Sequence, residues 1–565
     1  MKNWETEHNY KTVEEAILGL SGQSSVQLLH PKYTAPTDIP GMKRAFRFVK
    51  RAIMTGVPIH IVGDYDVDGI TSSAILYKAI TTFMGKVSVD IPRRFSEGYG
   101  INNRIIDSLT SPSLIVAVDN GIAAIDEVAY AKSRGHWVVI LDHHLPSEKL
   151  PEADCLVDPH VFAKENSFVD YCGAGLAFKL FELMCQDEEL NAYAKINNAT
   201  IAILKKEMLV LAGIGTVADL VPLIGDNRLI VINALSIMNQ ERSVCSQGLK
   251  EILEISLGKN ENPITATSIA FKVAPMINST SRLHDKGAIA VLKTVLCRDN
   301  VKAMKYAARM QEINEERRVL TEQWYEKIST RIPVDYKYPI IVYEEELPEG
   351  LCGIIAGRIS EKFNVPAAVF TLSNKNGQIR GSARSKGNLH LKEMLDTMPE
   401  LFLHYGGHKG AAGITFESMI YLKRFVKRVK EYCKNNAFDF SSKVLYDVVV
   451  DKNDVLKANE VLQKYEPYGM GVPKPVVRID DFIATSNANG YHYMYLGSDK
   501  KHFKLFGKNY GVVGFNLADE FNHFNKPDTI SIIGVIEQSY FRGKKYIQVR
   551  ILDCNFGEEQ LKMIS

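Results

Sequence analysis

The chain has 565 residues, of which 46% are hydrophobic and 24% charged, and its formal net charge at pH 7 is +2. This length and apolar content exclude a small or disordered chain and predict a globular protein of about three or four domains. A charge so close to zero excludes a uniformly basic surface, so an anionic partner would have to bind local basic patches.

The cysteines and the N-terminus bear on the cellular compartment. The eight cysteines show no CxxC pair and no regular spacing, which favours reduced thiols over disulfides or a zinc site. The first residues are polar and charged, and no run of about 18 apolar residues occurs anywhere. We therefore expect a soluble cytoplasmic protein that makes no membrane contact.

Short apolar runs alternate with helical patterns in the first third of the chain. The runs are rich in Val and Ile and occupy residues 58–62, 113–118 and 137–141, while helical patterns occupy 71–83 and 123–135. Apolar runs of this length separated by amphipathic stretches are typical of parallel strands covered by helices on both faces. The sequence therefore predicts an α/β domain with a parallel sheet.

The rest of the chain contains three regions that differ in predicted secondary structure. A helical region over about 196–330 ends in a long charged helix at 301–328, which we interpret as a solvated connector. Mixed strand and helix patterns follow over about 337–435, and short strands with many aromatic residues occupy about 445–556. We predict these divisions: an N-terminal extension 1–40, a first α/β domain 41–260, a helical connector 261–335, a second α/β domain 336–440 and a small β domain 441–565.

Acidic residues and histidines follow each of the first three apolar runs. Asp64, Asp66 and Asp68 come after the first run, Asp119 after the second, and Asp142-His143-His144 after the third. One such Asp alone could simply cap the next helix. Ligands of open α/β sheets bind outside the carboxyl ends of the strands, so three acidic ends in one sheet predict a common site.

The residue types in this cluster indicate which metal would bind. Carboxylates with a minority of imidazoles and no thiolate suit Mg²⁺ or Mn²⁺ and argue against structural zinc. Asp219, in the Gly-flanked segment GTVAD, is a further candidate ligand. Two such ions could activate a water and stabilise the leaving oxygen of a phosphoester, and they would neutralise the crowded carboxylates.

The chain resembles the DHH phosphoesterase superfamily in four segments that occur in the family's order: GDYDVDG (63–69), AVDNG (117–121), LDHH (141–144) and GTVADLVPL (215–223). It further resembles the RecJ single-strand-specific DNA exonucleases in IPRRFSEGYG (91–100), NSTSRL (278–283), NEERR (314–318), GSARS (381–385), GGHKGAAG (406–413) and PYGMGVPKP (467–475). The resemblance implies a parallel-sheet DHH domain, a connecting long helix, a DHH-associated α/β domain and a C-terminal OB-fold β barrel.

The resemblance also implies roles for the acidic cluster. Two divalent cations, Mn²⁺ or Mg²⁺, would be held by Asp66, Asp68, Asp119, His143 and Asp219. Asp64 would join these ligands or support them, and His144 would face the scissile phosphate. Asp142 would accept a hydrogen bond that fixes an imidazole. The implied reaction is hydrolysis of single-stranded DNA from the 5′ end by a metal-activated water, which releases 5′-mononucleotides.

Substrate contacts are implied by the same family pattern. The terminal phosphate would be held by Arg94, Ser382 and Arg384, since guanidinium groups match phosphate oxygens. Contacts with the rest of the strand are expected from Asn278, Arg282, His408 and Lys409. Arg94 could instead be a solvated turn charge, and the Gly-rich segment could be only a turn. Family members often carry Arg where this chain has Met276, so we expect one basic contact to be missing.

The last β segment combines aromatic and basic residues. KKHFKLFGK (500–508) and SYFRGKKYIQVRILD (539–553) place Lys and Arg among Phe and Tyr, as in β barrels that bind oligonucleotides. An ordinary β core with basic rims would give the same pattern. The resemblance favours a domain that feeds the strand to the active site, in a monomer with a helicase and a single-strand-binding protein as partners.

Two other functions remain open at this point. A DHH phosphodiesterase acting on short oligonucleotides or cyclic dinucleotides would use the same metal cluster, although such chains are generally smaller. A non-catalytic DNA-binding replisome scaffold would keep the fold and lose the acids, whereas every acidic and histidine position is present here.

Overall fold

The structure is a computed structural model, and it describes residues 4–8, 10–146, 148–163, 165, 167–196, 200–258, 263–333, 336, 338–373, 377–436, 438, 440, 444–541 and 544–556. Residues 542 and 543 of the basic and aromatic segment 539–553 lie outside this range. Among the described residues, no helix combines the length and the apolar character that a membrane span requires. All eight cysteines are free thiols, and five of them are buried.

The first sheet is parallel and has five strands in the order β2-β1-β3-β4-β5. Its strands are β1 Ile59–Val62, β2 Val87–Asp90, β3 Leu114–Val118, β4 Trp137–Leu141 and β5 Cys155–Val157. Strands β1 and β3 are buried along their whole length, as expected where helices cover both faces. The three apolar runs of the sequence therefore form three neighbouring strands, and the α/β prediction is confirmed.

Helices pack around this sheet and extend its core well past residue 260. They are Met42–Thr55, Val67–Thr82, Asn103–Asp107, Ile125–Ser133, Gly173–Gln186, Glu188–Ile196, Ile201–Ala218, Gly225–Gln240, Gln247–Leu257, Ala266–Ser268, Ala274–Leu283 and Gly287–Val295, with a π-helical turn at Ile269–Val273. One continuous hydrophobic core contains residues from Ile39 to Met310. The first part of the predicted connector 261–335 thus contributes to this core, which together with the first sheet we call the first lobe.

The long charged helix is Asn300–Ser329. Its first half buries Ala307 and Met310 in the first core, and its second half packs Leu320 and Trp324 against the second lobe. The predicted helix is confirmed. It joins the two lobes through its apolar face and leaves most of its charged side chains in solvent.

The second sheet belongs to the second lobe and has the order β6-β7-β8-β10-β9. Its strands are β6 Ile340–Tyr343, β7 Ala367–Leu372, β8 Ile379–Arg384, β9 His404–Gly407 and β10 Ala411–Phe416. Only the β6–β7 pair is parallel. Helix Cys352–Phe363 covers one face and helix Met419–Asn435 the other, with the short helix Leu391–Asp396 beside it.

The third sheet has seven strands in the order β11-β12-β16-β17-β15-β14-β13. They are β11 Val448–Val449, β12 Val477–Ile483, β13 Tyr493–Leu496, β14 His502–Phe506, β15 Gly511–Gly514, β16 Thr529–Phe541 and β17 Lys544–Asn555, accompanied by helices Val455–Lys464 and Ala518–His523. Within the described part of the chain the edge strands β11 and β13 do not pair, so the barrel is open. The predicted small β domain is present.

The N-terminal segment packs against this last domain. Helices Val13–Ser21 and Ser25–Leu29 bury Ile17 and Leu28 in the same core as strands β12 and β16. The predicted N-terminal extension 1–40 thus contains two helices that cover one side of the C-terminal sheet. Arg228 of the first lobe, which is 1% exposed, donates hydrogen bonds to the carbonyls of Leu28 and of residues 465–467 and links the two ends of the chain to the first lobe.

Candidate active site

The acidic strand ends meet at one edge of the first sheet. Asp64 follows β1, Asp119 follows β3 and Asp142 follows β4, as the sequence predicted for neighbouring parallel strands. Asp119 has a backbone φ of 60°, which is unusual for a residue other than Gly, and its carbonyl accepts a hydrogen bond from the Tyr99 hydroxyl at 2.7 Å. The strand end is thus held in a conformation that turns the carboxylate towards its neighbours.

The candidate ligand atoms form three overlapping groups, of which Asp119, His143 and His144 are one; the other two share no residue with each other. One consists of Asp64, Asp66 and Asp119, and the other of Asp68, His143 and Asp219; within each group the candidate ligand atoms lie within 4.8 Å of one another. His143 Nε2 is 3.0 Å from Asp119 Oδ1, which joins the two groups. The geometry thus provides two adjacent positions that each suit one cation.

The N-termini of two helices hold the carboxylates of Asp66 and Asp68 in the segment GDYDVDG. Asp66 caps helix Val67–Thr82, and its Oδ1 accepts a hydrogen bond from the amide of Gly69 at 3.0 Å. Asp68 accepts hydrogen bonds from the amides of Gly173 and Ala174, at 2.6 and 2.9 Å, where the amide dipoles of helix Gly173–Gln186 favour a negative charge. The sequence did not reveal this second contact, because the partners are over 100 residues apart.

A glycine is required where the second helix begins. A Cβ on Gly173 would lie 2.6 Å from the Cβ of Asp119 and 3.0 Å from Asp68 Oδ2. Any side chain there would push the two carboxylates apart. The short distance between the second motif and this helix therefore depends on Gly173.

Burial and mutual repulsion raise the pKa of the clustered carboxyl groups. Burial is the largest cause for Asp64, Asp66 and Asp119, and neighbouring carboxylates add to it. The same causes raise the pKa of Asp219 to about 9. Asp64 Oδ1 is buried and has no hydrogen-bond partner. A bound cation would supply the missing partner and reverse the repulsion, so these oxygen and imidazole donors fit Mg²⁺ or Mn²⁺.

Asp142 orients His144. The Asp142 carboxylate is completely buried, lies 2.7 Å from His144 Nδ1 and accepts the amide hydrogen of Ile122 at 2.9 Å. Burial opposes its charge, but the hydrogen bond and the charge of His144 outweigh burial and lower the pKa of Asp142. Burial likewise opposes the charge of His144, yet Asp142 raises the pKa of His144 to about 9. The imidazole is therefore held in place and cationic at neutral pH.

Four arginines collect beside the acidic cluster. Burial lowers the pKa of Arg282 to about 10, and the next causes are the positive charges of Arg94, Arg317 and Arg384. The two clusters are adjacent. The charge of Arg94 favours lower pKa values for Asp64 and Asp66, and the charge of Asp66 favours a higher pKa for Arg282. Guanidinium groups crowded in this way create a positive potential that can attract an anion. Arg317 was not among the predicted site residues, although it lies in the NEERR segment.

Ser382 and Arg384 lie on the same face of strand β8. A Cβ on Gly353, at the start of helix Cys352–Phe363, would lie 2.9 Å from the Arg384 guanidinium and 3.4 Å from Ser382 Oγ. The helix therefore approaches these two side chains closely because residue 353 has no side chain. Arg282 donates a hydrogen bond to the carbonyl of Gly350 at 3.2 Å, which ties this loop to the arginine cluster.

The remaining predicted contacts are more scattered. Asn278 is on helix Ala274–Leu283, one turn before Arg282, and its Oδ1 is buried without a hydrogen-bond partner. His408 and Lys409 are exposed on the turn between β9 and β10. Met276 is completely buried in the first core. Its side chain faces the protein interior, and the expectation that one basic DNA contact is missing here stays a prediction.

The sequence matches three family models: the DHH family, N-terminal domain over residues 58–216, the DHHA1 domain over 336–435, and the RecJ OB domain over 446–553. The single-stranded-DNA-specific exonuclease RecJ of Bacillus subtilis is 30% identical over 96% of this chain and 67% of its own. RecJ of Dickeya dadantii is 31% identical over 77% of each chain. The chain belongs to the RecJ family.

A solved RecJ structure has the same fold. The crystal structure of RecJ from Thermus thermophilus in complex with Mn²⁺ matches with a TM-score of 0.76 and 24% identity, and the match covers 97% of this chain and 76% of that chain. The three lobes of the present structure thus correspond to a RecJ arrangement of DHH, DHHA1 and OB domains. Tyr65 and Tyr99, which the sequence did not indicate as site residues, contact Arg94 and the Asp119 carbonyl, respectively. Glu349 of the second lobe acts on Tyr65, and we call this junction of the first two lobes the cleft.

Proposed function

We propose that the protein is a metal-dependent exonuclease that hydrolyses single-stranded DNA from the 5′ end and releases 5′-mononucleotides. The proposal is carried by one observation: two sets of candidate metal ligands, together five carboxylates and one imidazole, lie next to a cluster of four arginines. Relatives from B. subtilis and D. dadantii are named single-stranded-DNA-specific exonucleases, which supports the same activity.

The ligands of the cations are proposed to be the two groups described above. Asp64, Asp66 and Asp119 would hold one divalent ion, and Asp68, His143 and Asp219 the other. Two bound ions, Mn²⁺ or Mg²⁺, would supply Lewis acidity and lower the pKa of a water. Asp64 is included because its buried Oδ1 has no other partner.

His144 is proposed to contact the scissile phosphate. Its Nδ1 is engaged by Asp142, its Nε2 lies 3.4 Å from the Tyr99 hydroxyl oxygen, and its side chain is 46% exposed, so a phosphate would take over the Nε2 contact. An imidazole that stays cationic at neutral pH can donate a charge-assisted hydrogen bond to a phosphoryl oxygen. Asp142 acts by holding this ring in position.

End recognition is assigned to the arginine cluster. Arg94, Ser382 and Arg384 would bind the 5′-terminal phosphate, and Arg282 and Asn278 the following backbone. His408 and Lys409 are exposed on the same sheet as Ser382 and would extend the contact. A terminal phosphate fixed at one distance from the acidic cluster would place one phosphodiester at a time in the active site.

The third sheet is proposed to bind the single strand farther from its end. Lys504 lies 5.9 Å from the ring centre of Phe506 and 5.6 Å from that of Tyr546, so a cation and two aromatic faces lie on one surface. Bases stack on such rings, and the ammonium group neutralises phosphate. Duplex DNA does not expose its bases in this way, which supports strand specificity.

The test is a digestion of single-stranded and duplex DNA with Mn²⁺, using strands labelled at either end. We expect single strands alone to be digested, with the 5′ label released first as mononucleotide. Asp119→Ala should abolish the activity. Asp107→Ala is the matched control and should retain it, since Asp107 is exposed and bonds Tyr130 away from the cluster.

Three other outcomes would redirect the proposal. Release of the 3′ label first would overturn the polarity, and an active Asp119→Ala variant would overturn the metal site. Cleavage of dinucleotides alone would favour a phosphodiesterase of short substrates, whereas DNA binding without any hydrolysis would favour a scaffold. A cytoplasmic location, a monomeric state and helicase or single-strand-binding protein partners remain predictions.

A further inference from the structure

Arg94 contacts an aromatic ring in the cleft. Its guanidinium carbon lies 4.6 Å from the centre of the Tyr65 ring. Tyr65 stands between the candidate ligands Asp64 and Asp66, directly after β1, so this contact joins the acidic cluster to the arginine cluster. Neighbouring basic residues differ, because Arg93 and Arg104 both pair with Glu97. Within the described ranges, Arg94 has no carboxylate oxygen within 4.0 Å and so stays available to a ligand.

The backbone around Arg94 is fixed, whereas its side chain depends on the ring. The amides of Phe95 and Ser96 donate hydrogen bonds to Asp285 Oδ1 at 2.8 and 3.1 Å. These bonds hold the segment but leave the long Arg94 side chain to be ordered by its own contacts. A guanidinium stacked on a tyrosine keeps its N–H groups free at the edge of the plane, where they can meet phosphate oxygens.

Tyr65 is itself well placed for this task. It is half-buried, and its ring meets the edge of Tyr99 at 6.3 Å between centroids. Arg94 is repelled by the neighbouring guanidinium groups of the cluster. Asp64 and Asp66 attract the guanidinium without contacting it, and the Tyr65 ring supplies the direct contact that keeps it from turning towards solvent when no phosphate is bound.

We propose that Tyr65 is a positioning residue whose ring holds the Arg94 guanidinium in the cleft and thereby sets the preference for a 5′-phosphorylated strand over a 5′-hydroxyl strand. This inference rests on the proposed exonuclease function and on the assignment of Arg94 to the terminal phosphate. It extends that function by naming the residue that orients the Arg94 guanidinium in the absence of DNA.

The experiment measures kcat/KM in Mn²⁺ on two single strands that differ only in a 5′-phosphate or a 5′-hydroxyl. Loss of a partly desolvated stacking contact should lower the ratio of the two values by about 3- to 30-fold in Tyr65→Leu. Tyr65→Phe keeps the ring and should keep the ratio. Tyr325→Leu is the matched control, because Tyr325 stacks on Arg358 at 3.9 Å and packs against the core of the second lobe; its ratio should equal that of the wild type.

Several results would overturn the inference. They are an unchanged ratio in Tyr65→Leu, an equal fall on both strands accompanied by a higher Mn²⁺ requirement, or the same loss of ratio in Tyr65→Phe. Should Tyr65→Leu fail to fold, Arg94→Lys is measured in its place, because it retains the charge without the planar stack. Arg94→Lys should also lose the preference for the 5′-phosphorylated strand, and a retained preference refutes the inference. A wild type that hydrolyses neither strand would instead refute the proposed function.

Discussion

Replacing Asp142 by Asn would disturb the hydrogen bonds that orient His144 without changing the volume of the side chain. The buried carboxylate accepts hydrogens from His144 Nδ1, from the amide of His143 at 2.8 Å and from the amide of Ile122 at 2.9 Å. An Asn side chain has one accepting oxygen and one donating nitrogen, so one of these donors must face another donor.

The magnitude follows from the hydrogen bonds lost. A buried hydrogen bond to a charged group contributes about 1.5–3 kcal/mol, and at least one such bond is lost while a second is weakened, for a total of about 2–4 kcal/mol. If this loss falls on the transition state, the rate decreases by about 30- to 1000-fold. The alkaline limb of the pH–rate profile should also shift to lower pH in the variant, because the carboxylate that raises the pKa of His144 to about 9 is gone.

The assay is kcat on a single strand labelled at the 5′ end, measured from neutral to alkaline pH, with thermal melting to check the fold. Asp107→Asn is the matched control on the surface and should behave as wild type. A folded Asp142→Asn variant with kcat within about 3-fold of the wild type would refute the assigned role, since a single lost charged hydrogen bond predicts more.

Two further predictions concern packing. Arg228→Met should lower the free energy of unfolding by at least about 3 kcal/mol, because several buried carbonyls lose their donor; urea unfolding measures this, and a change below about 1 kcal/mol would contradict it. Gly173→Ala should raise the Mn²⁺ concentration needed for half-maximal activity, because the new methyl group presses on Asp119. A variant with wild-type Mn²⁺ dependence would show that the site tolerates the displacement.

The sequence indicated the acidic site because its ligands follow strands that are easy to recognise. Asp64 and Asp119 end buried apolar runs, and parallel strands bring such ends together regardless of the intervening chain. Asp219 is different, since it follows a helix and not a strand, and the sheet topology therefore did not place it beside the other acids.

The contacts missed from the sequence are between distant segments. The packing of Ile17 against the C-terminal sheet joins residues more than 400 positions apart, and nothing in the local pattern of a short amphipathic helix reveals its partner. The same holds for the amide of Gly173 on Asp68 and for the stacking of Arg94 on Tyr65. The burial of Met276 was likewise not apparent from the sequence.

The central claim is that the two groups of ligands hold two divalent cations. The most direct test is the number of Mn²⁺ ions bound per chain, counted by electron paramagnetic resonance and by calorimetry in the absence of DNA. We predict two ions in the wild type and a loss of binding in Asp119→Ala, since Asp119 belongs to one group and contacts the other through His143. Two tightly bound ions retained in Asp119→Ala, or no bound ion in the wild type, would contradict the account.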